Sequence, residues 1–275
     1  MKHLRRAKSA IRSGFAFCLL CTLGAALTWD PPFMKKPKPL TPSALRERAV
    51  RFYDRYGGDL EQIRSLLHIG LNQLAQAYTL ANKLPSEAIR VSSRTKSLAS
   101  FLKKLDRKGW PQFYYPTDVA GDLIGARVVC WFLDDCHGFL DMLKISEHLK
   151  LSKDIEDYIS NAKLSGYRSI HATANVTYET VQRDKAGRTV VKSEQMPCEI
   201  QIRTKLQDAW GDLTHEFHYK AKDLGVQDKR LEDLLSDVSH RLFSEDQTII
   251  KFRKTYQDLA DEKTKRGVRT GFRRK

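Results

Sequence analysis

The sequence predicts a mixed α/β (α+β) fold, a mixed β-sheet flanked by helices with additional helices at the N- and C-terminal ends. Three observations point there. Strand-like segments alternate with segments of three-and-four periodicity through the body of the chain. The strand-like segments number three or four, sit within one compact stretch and form no internal repeat. A 41% hydrophobic share over 275 residues supplies a real core, for one substantial domain with extensions or two small ones.

The chain opens with basic "MKHLRRAKSAIRS" and then apolar, uncharged "GFAFCLLCTLGAALTW". Sixteen such residues fall short of the about 20 that a membrane helix needs, and they match the core of a secretory signal with Gly-Ala-Ala as its cleavage region. A short membrane anchor and a start codon placed too early are the other readings of residues 1–29. Residues 30–41 read as a proline-rich linker, and the folded domain is expected over 42–250, starting near Pro42. Residues 251–275 are expected to hold a helix end and a basic tail.

Thr41-Pro42-Ser43 opens a helix over "ALRERAVRFYDRYGG", which the paired glycines Gly57 and Gly58 are expected to stop. Ile63, Leu66, Leu67, Gly70, Leu71 and Leu74 then mark a second, amphipathic helix. "AIRVSSRTKS" is a short strand, and "SLASFLKKLDRKG" is a helix closed by Gly109. "IGARVVCWFL" is a nearly continuous apolar run, as in a strand buried on both faces. "CHGFLDMLKISEHL" is helical. "YRSIHATANVTYET" and "TVVKSEQMPCEIQIRT" flank the turn "RDKAGR" and pair as a hairpin. "KLQDAWGDLTHEFHYK" is a helix with Leu206, Ala209, Trp210, Leu213 and Phe217 inward. Asp208, Asp212, His215 and Tyr219 lie opposite, on a solvent or cleft-rim face to which the pattern gives no catalytic role. One or two further helices follow up to residue 263.

The formal net charge of +15 resides at the ends. Residues 1–40 carry +7, residues 263–275 carry +7, and the stretch between carries +1. The basicity therefore says little about what the central domain binds, although the C-terminal tail suits a phosphate backbone such as RNA. The five cysteines have no zinc-site spacing and no disulfide framework, and Cys130 and Cys198 read as small buried side chains. No glycine-rich phosphate loop, serine nucleophile elbow or His-Asp pair is present.

What remains is a set of charged residues at strand ends. In "EIQIRT", Ile200 and Ile202 share one face of a strand while Glu199, Gln201 and Arg203 share the other. Glu199 and Arg203 lie roughly 13 Å apart along an extended strand, at about 3.3 Å per residue, so they pair poorly with each other. Taken alone, Asp122 reads as a turn cap. Arg127, inside an apolar run, requires an anion or a π-face. Two carboxylates from neighbouring strands would suit Mg²⁺ on a polyphosphate, and pattern alone leaves that reading level with a structural one. Ser100 and Lys104 share a helix face, and Lys96 lies near the helix start, where phosphate is favoured; Lys103 reads as a solvated lysine. Tyr167, Ser169 and His171 share one face at the head of a strand, where Tyr167 stacks on a base or packs in the core.

Taken in order, Arg94, Lys96, Ser100 and Lys104, then "DLIGAR", "GYRSIH" and "EIQIRT…W…H…YK", resemble the synthetase domain of the RelA/SpoT alarmone family over about residues 90–220. Departures are Leu123-Ile124 after the aspartate, and Thr214 before His215 where an acid is common. The resemblance implies a nucleotidyltransferase-like fold and transfer of pyrophosphate from ATP to the 3′-hydroxyl of GDP or GTP, with release of AMP. By position, Arg94 and Arg127 would clamp adenine, Lys96 and Lys104 would hold ATP phosphates with Ser100 nearby, and Asp122 would bind Mg²⁺. Glu199 would complete the metal site or act as base. Tyr167 would stack on guanine, with His171 and Arg203 near its phosphates. Family members often form multimers, for which the helices after Lys229 are available. The alternatives are a relative acting on adenine nucleotides or the tRNA 3′ end, and an inactive exported nucleotide-binding module. The need for ATP favours a cytoplasmic or cytoplasm-facing location.

Overall fold

The structure is a computed structural model that describes residues 39–223 and 228–271, without the side chains of 215, 216, 218–223 and 264–271. The signal-like segment 1–29, the linker up to residue 38, the end of the basic tail, and the side chains of His215 and Tyr219 lie outside the described residues.

Helix α1 runs from Pro42 to Ala81, with Thr41 as its N-cap accepting from the Ala44 N–H at 3.3 Å. The predicted stop at Gly57-Gly58 is corrected, since the helix passes straight through the pair. Leu45 and Ala49 before the glycines and Leu60, Ile63, Leu67 and Leu71 after them are all buried. That burial outweighs the roughly 1 kcal/mol per glycine lost in helix propensity.

Strand β1 (Ile89–Thr95) is followed by helix α2 (Leu98–Arg107), capped by Ser97, and Gly109 then turns the chain at φ +69°. Strand β2 covers Ile124–Cys130, and helix α3 covers Leu133–Lys144, starting three residues ahead of the predicted Cys136. Strands β3 (Lys150–Leu151) and β4 (Glu156–Asp157) are two-residue pieces. The predicted hairpin is present as β5 (Ile170–Arg183) and β6 (Thr189–Thr204), paired from Ile170↔Ile202 out to Arg183↔Thr189. Its turn is fixed by Asp184, whose Oδ1 accepts from the Ala186 and Arg188 N–H groups, with Gly187 at φ +77°. Helix α4 (Lys205–Asp223) and a single helix α5 (Lys229–Gly271) complete the chain, α5 being continuous across residue 250.

The sheet order is β1-β2-β6-β5-β3, with β4 also on β5, so six strands replace the predicted three or four. The two added ones are too short to leave a periodic signal. β2 and β6 run parallel, and every other pair is antiparallel. One sheet face packs on α1 and α3 through Ile124, Val128, Ile170, Ala174, Ile200 and Ile202. The other face stays open. The expectation that β2 is buried on both sides is therefore corrected, because Gly125 and Arg127 are only half-buried on that open face. The run looked continuous because Val128, Val129 and Cys130, at its far end, are all covered. Cys130, Cys136 and Cys198 are buried free thiols.

The predicted inward stripe of α4 is also corrected. Trp210 is buried and Leu206 half-buried as expected, but Ala209, Leu213 and Phe217 are exposed, and Gln207 and Asp208 are buried instead. Burying Asp208 next to two arginines supplies their anion, and that need rotates the helix away from its apolar stripe. Helix α5 then fastens the assembly. Trp210 Nε1 donates to the Leu235 carbonyl at 2.9 Å, Thr204 Oγ1 donates to Asp246 Oδ2 at 2.7 Å, and Arg253 ties to Asp134 and Asp135. Burial pushes the Asp246 carboxyl up to about 6, against the opposing bonds from Thr204 and Gln207.

Two outcomes follow. Gly57→Ala and Gly58→Ala should each stabilise the protein by about 0.5–1 kcal/mol in urea unfolding, because a methyl group at either position meets no atom within 4 Å. Asp246 has its folded-state pKa raised from 3.8 to about 6, so the folded chain binds the extra proton between those values. Stability therefore falls as pH rises through that window, by up to about 3 kcal/mol. Asp246→Asn, which keeps both accepted bonds, should flatten that fall when melting curves at pH 5 and pH 7.5 are compared.

Candidate active site

The parallel register of β2 and β6 lines up two rows of side chains across the open face. Arg94, Gly125, Glu199 and Thr173 are neighbours in one row, and Ser92, Arg127, Gln201 and His171 in the next. Gly125 contributes no side chain, so a gap opens between Arg94 and Glu199. A cleft of about 320 Å³ lies there, lined by Arg94, Asp122, Arg127, Glu199 and Gln201 among others. The structure thus brings together the two predicted carboxylates and the two predicted adenine-side arginines.

Asp122 sits in the turn before β2 and is held by Lys104 at 2.7 Å and Lys96 at 2.9 Å. Burial would raise its carboxyl, but the hydrogen bonds and charges of the two lysines win and keep it below the ordinary range. Both lysines read from the sequence as phosphate holders are therefore bonded to the acid. Ser100 lies one helical turn before Lys104 but does not line the cleft. Its hydroxyl is 3.0 Å from that of Ser97, and its N–H is capped by the same side chain.

Glu199 accepts from Gln201 Nε2 at 3.0 Å and faces His171 Nδ1 at 3.4 Å. The His171 hydrogen bond, aided by the imidazole charge and Gln201, lowers its carboxyl despite burial, while Asp122 pushes the other way. His171 Nε2 is 2.7 Å from the Tyr167 hydroxyl. In a neutral ring Nδ1 donates to the carboxylate, which leaves Nε2 to accept from Tyr167. Burial raises the Tyr167 hydroxyl, with the Arg203 charge opposing it. The Tyr167 ring packs edge-on to His171 and at a tilt against Trp210, with centroids 5.6 and 6.3 Å away.

Arg203 is the deepest of the predicted site residues, at 3% exposure. Its Nη2 donates to Gln201 Oε1 at 3.0 Å, so Gln201 spans the gap between Glu199 and Arg203 that the strand geometry makes too long for a direct pair. Sequence reasoning missed the anion beside it. Asp208 Oδ1 is 3.3 Å from Arg203 Nε and 2.9 Å from Arg127 Nη1, and Asp212 Oδ1 is 3.0 Å from the same Arg127 atom. The signal was available: Arg127 demanded an anion, and Asp208 and Asp212 stand one helical turn apart just after the strand bearing Arg203.

As a donor set, Asp122 and Glu199 offer oxygen ligands to a hard cation, and among the described residues no group of three or more His, Cys, Asp or Glu gathers to hold one. Two carboxylates with phosphate and water completing the shell is the way Mg²⁺ commonly binds, and the residues fit it.

A family model described as "Region found in RelA / SpoT proteins" matches residues 93–224. The GTP pyrophosphokinase YwaC of Bacillus subtilis is 31% identical over 163 residues, which cover 59% of this chain and 72% of that protein. The chain belongs to the RelA/SpoT family. Another RelA/SpoT relative, the GTP pyrophosphokinase YjbM of B. subtilis, is 33% identical over 130 residues, covering 47% of this chain and 56% of its own. Among solved structures, small alarmone synthetase 1 of B. subtilis bound to its product pppGpp superposes with a TM-score of 0.60 at 25% identity, covering 75% of this chain and 99% of that one. The RelA/SpoT region takes in every site residue from Arg94 to Arg203 and leaves α1 and α5 outside.

The loop bearing Tyr167 nevertheless leans on α5. Ser239 Oγ donates to the Gly166 carbonyl, and the Arg168 guanidinium lies 3.9 Å from the centre of the Phe243 ring. Gly166 has φ +82°, and a methyl group there would come within 2.8 Å of Ser239 Cβ. Gly166→Ala should destabilise the protein by about 1–3 kcal/mol in urea unfolding.

Proposed function

We propose that this RelA/SpoT protein is a (p)ppGpp synthetase, moving the pyrophosphate group of ATP to the 3′-hydroxyl of GDP or GTP and releasing AMP. The observation that carries the reading is the meeting of Asp122 and Glu199 in one cleft with Arg94 and Arg127, next to the Tyr167–His171 pair. The activities for which its relatives are named support the same reading.

In this reading ATP occupies the side of β1 and β2. Arg94 and Arg127 face its adenine. Arg127 meets Asp208 and Asp212 at its edge through Nη1, which leaves the flat π-face for a base. Lys96 and Lys104 already place two ammonium groups at Asp122, where a triphosphate would approach the cleft. Tyr167 supplies the guanine platform, and His171 and Arg203 hold acceptor phosphates. Mg²⁺ held by Asp122 and Glu199 would neutralise charge on the transferring phosphates. The 3′-oxygen bonds to the β-phosphorus as the bond from that phosphorus to the α,β-bridging oxygen breaks, and AMP departs with that oxygen. Glu199, kept ionised at neutral pH, takes the hydroxyl proton only as bond formation acidifies it.

Self-assembly belongs to the same proposal, supported by exposed Leu231, Leu234, Phe252, Tyr256 and Leu259 on α5. So does catalysis on the cytoplasmic side of a membrane, where ATP is available. Among the described residues no helix is long and apolar enough to cross a membrane.

The deciding experiment offers labelled ATP with GDP, GTP, AMP or tRNA. Label should pass to GDP or GTP, and labelling of tRNA alone would overturn the assignment. Asp122→Ala and Glu199→Ala should each lower kcat by about 10³-fold or more, while Tyr167→Ala should raise the acceptor KM about 10- to 100-fold with a smaller loss in kcat.

A further inference from the structure

One charged group behind the cleft touches Arg127 but has no role of its own in the reaction described above. Asp208 is buried at the start of α4, at 9% exposure, and it is the one carboxylate among the described ion pairs that touches both Arg127 and Arg203. Asp212, a turn further along α4, reaches Arg127 only and stands largely in solvent. Two guanidinium groups this close repel, and the charge of Arg127, after burial itself, depresses the ionisation range of Arg203. A single carboxylate oxygen, Asp208 Oδ1, lies 2.9 Å from Arg127 Nη1 and 3.3 Å from Arg203 Nε, and its charge offsets that repulsion as an ion pair without hydrogen-bond geometry.

We propose that Asp208 is a positioning residue that orients Arg127 on the donor side and Arg203 on the acceptor side through a single carboxylate oxygen, Oδ1. The inference rests on the assignment of those two arginines to ATP and to the acceptor. It differs from a merely structural role because the two arginines serve different nucleotides, so the loss of one carboxylate must be felt in both binding steps. Asp212 shares only the Arg127 contact, and its loss must be felt in one. Gln201 cannot substitute for Asp208, since its amide holds Arg203 by a different nitrogen and carries no charge.

The test compares initial rates for wild type, Asp208→Asn, Asp208→Glu and Asp212→Asn, each varied separately in ATP and in GDP, with melting temperatures recorded for all four. Asp208→Asn should raise both KM values about tenfold or more. Asp212→Asn should raise the ATP KM about two- to fivefold and keep the GDP KM within twofold of wild type. Asp208→Glu retains the charge but moves it outward by one methylene, and should raise both KM values by a smaller factor than Asp208→Asn. If Asp208→Asn fails to fold, Asp208→Glu decides the matter. A folded Asp208 variant with its GDP KM unchanged overturns the proposal, as does an Asp212→Asn protein that weakens GDP as much as ATP. A wild-type protein that transfers no label to GDP or GTP would instead sink the assigned reaction.

Discussion

The parallel pairing of β2 with β6 sets Gly125 against Glu199, Arg127 against Gln201 and Val129 against Arg203. Side chains alternate along a strand, so this register decides at once which residues meet the helices and which meet the cleft. A slip by one residue would carry Ile200 and Ile202 to the open side and bury Glu199 against α1 and α3. The buried isoleucines, both fully enclosed, thus hold the functional residues in place by refusing any other register. Parallel strands need a long crossover, and the chain supplies it between residues 130 and 189, a stretch that includes α3 and β5. β5, running back against β6, brings His171 beside Gln201 and sets Tyr167 just before the strand.

The open face would be unstable if it carried one sign of charge. Arg127 and Arg203 meet Asp208, Lys96 and Lys104 meet Asp122, and His171 meets Glu199. Each of the basic residues in these pairs also has a role in the reaction proposed for the cleft. Such interleaving lets the domain fold with its site assembled, because each of these buried charges lies beside a partner.

The long elements and the site face were legible because they follow from periodicity and from charges that have no place in a core. The alternation in residues 199–203 predicted the sides of that strand, and the awkward Arg127 called for an anion or a π-face, of which the structure supplies the anion. Three things were not legible. Gly57 and Gly58 looked like a stop, because local propensity cannot see that Leu45 and Leu67 pack on the same sheet. The orientation of α4 was misjudged because its apolar stripe competes with the arginines for the inner side, and only the tertiary pairing shows that the arginines win. The pairing of Lys96 and Lys104 with Asp122 was hidden, since it depends on a turn placing an acid beside a helix that follows the preceding strand.

Helix α5 has one more consequence. It is the last element in the chain, yet Ser239, Phe243 and Asp246 buttress the loop before β5 and the junction of β6 with α4. During synthesis every motif residue up to Arg203 leaves the ribosome before these supports exist. A nascent or truncated chain ending ahead of residue 239 therefore carries the full complement of cleft residues without the brace that sets Gly166 and Arg168. The order of translation itself keeps the Tyr167 side of the cleft unbraced until α5 has been made.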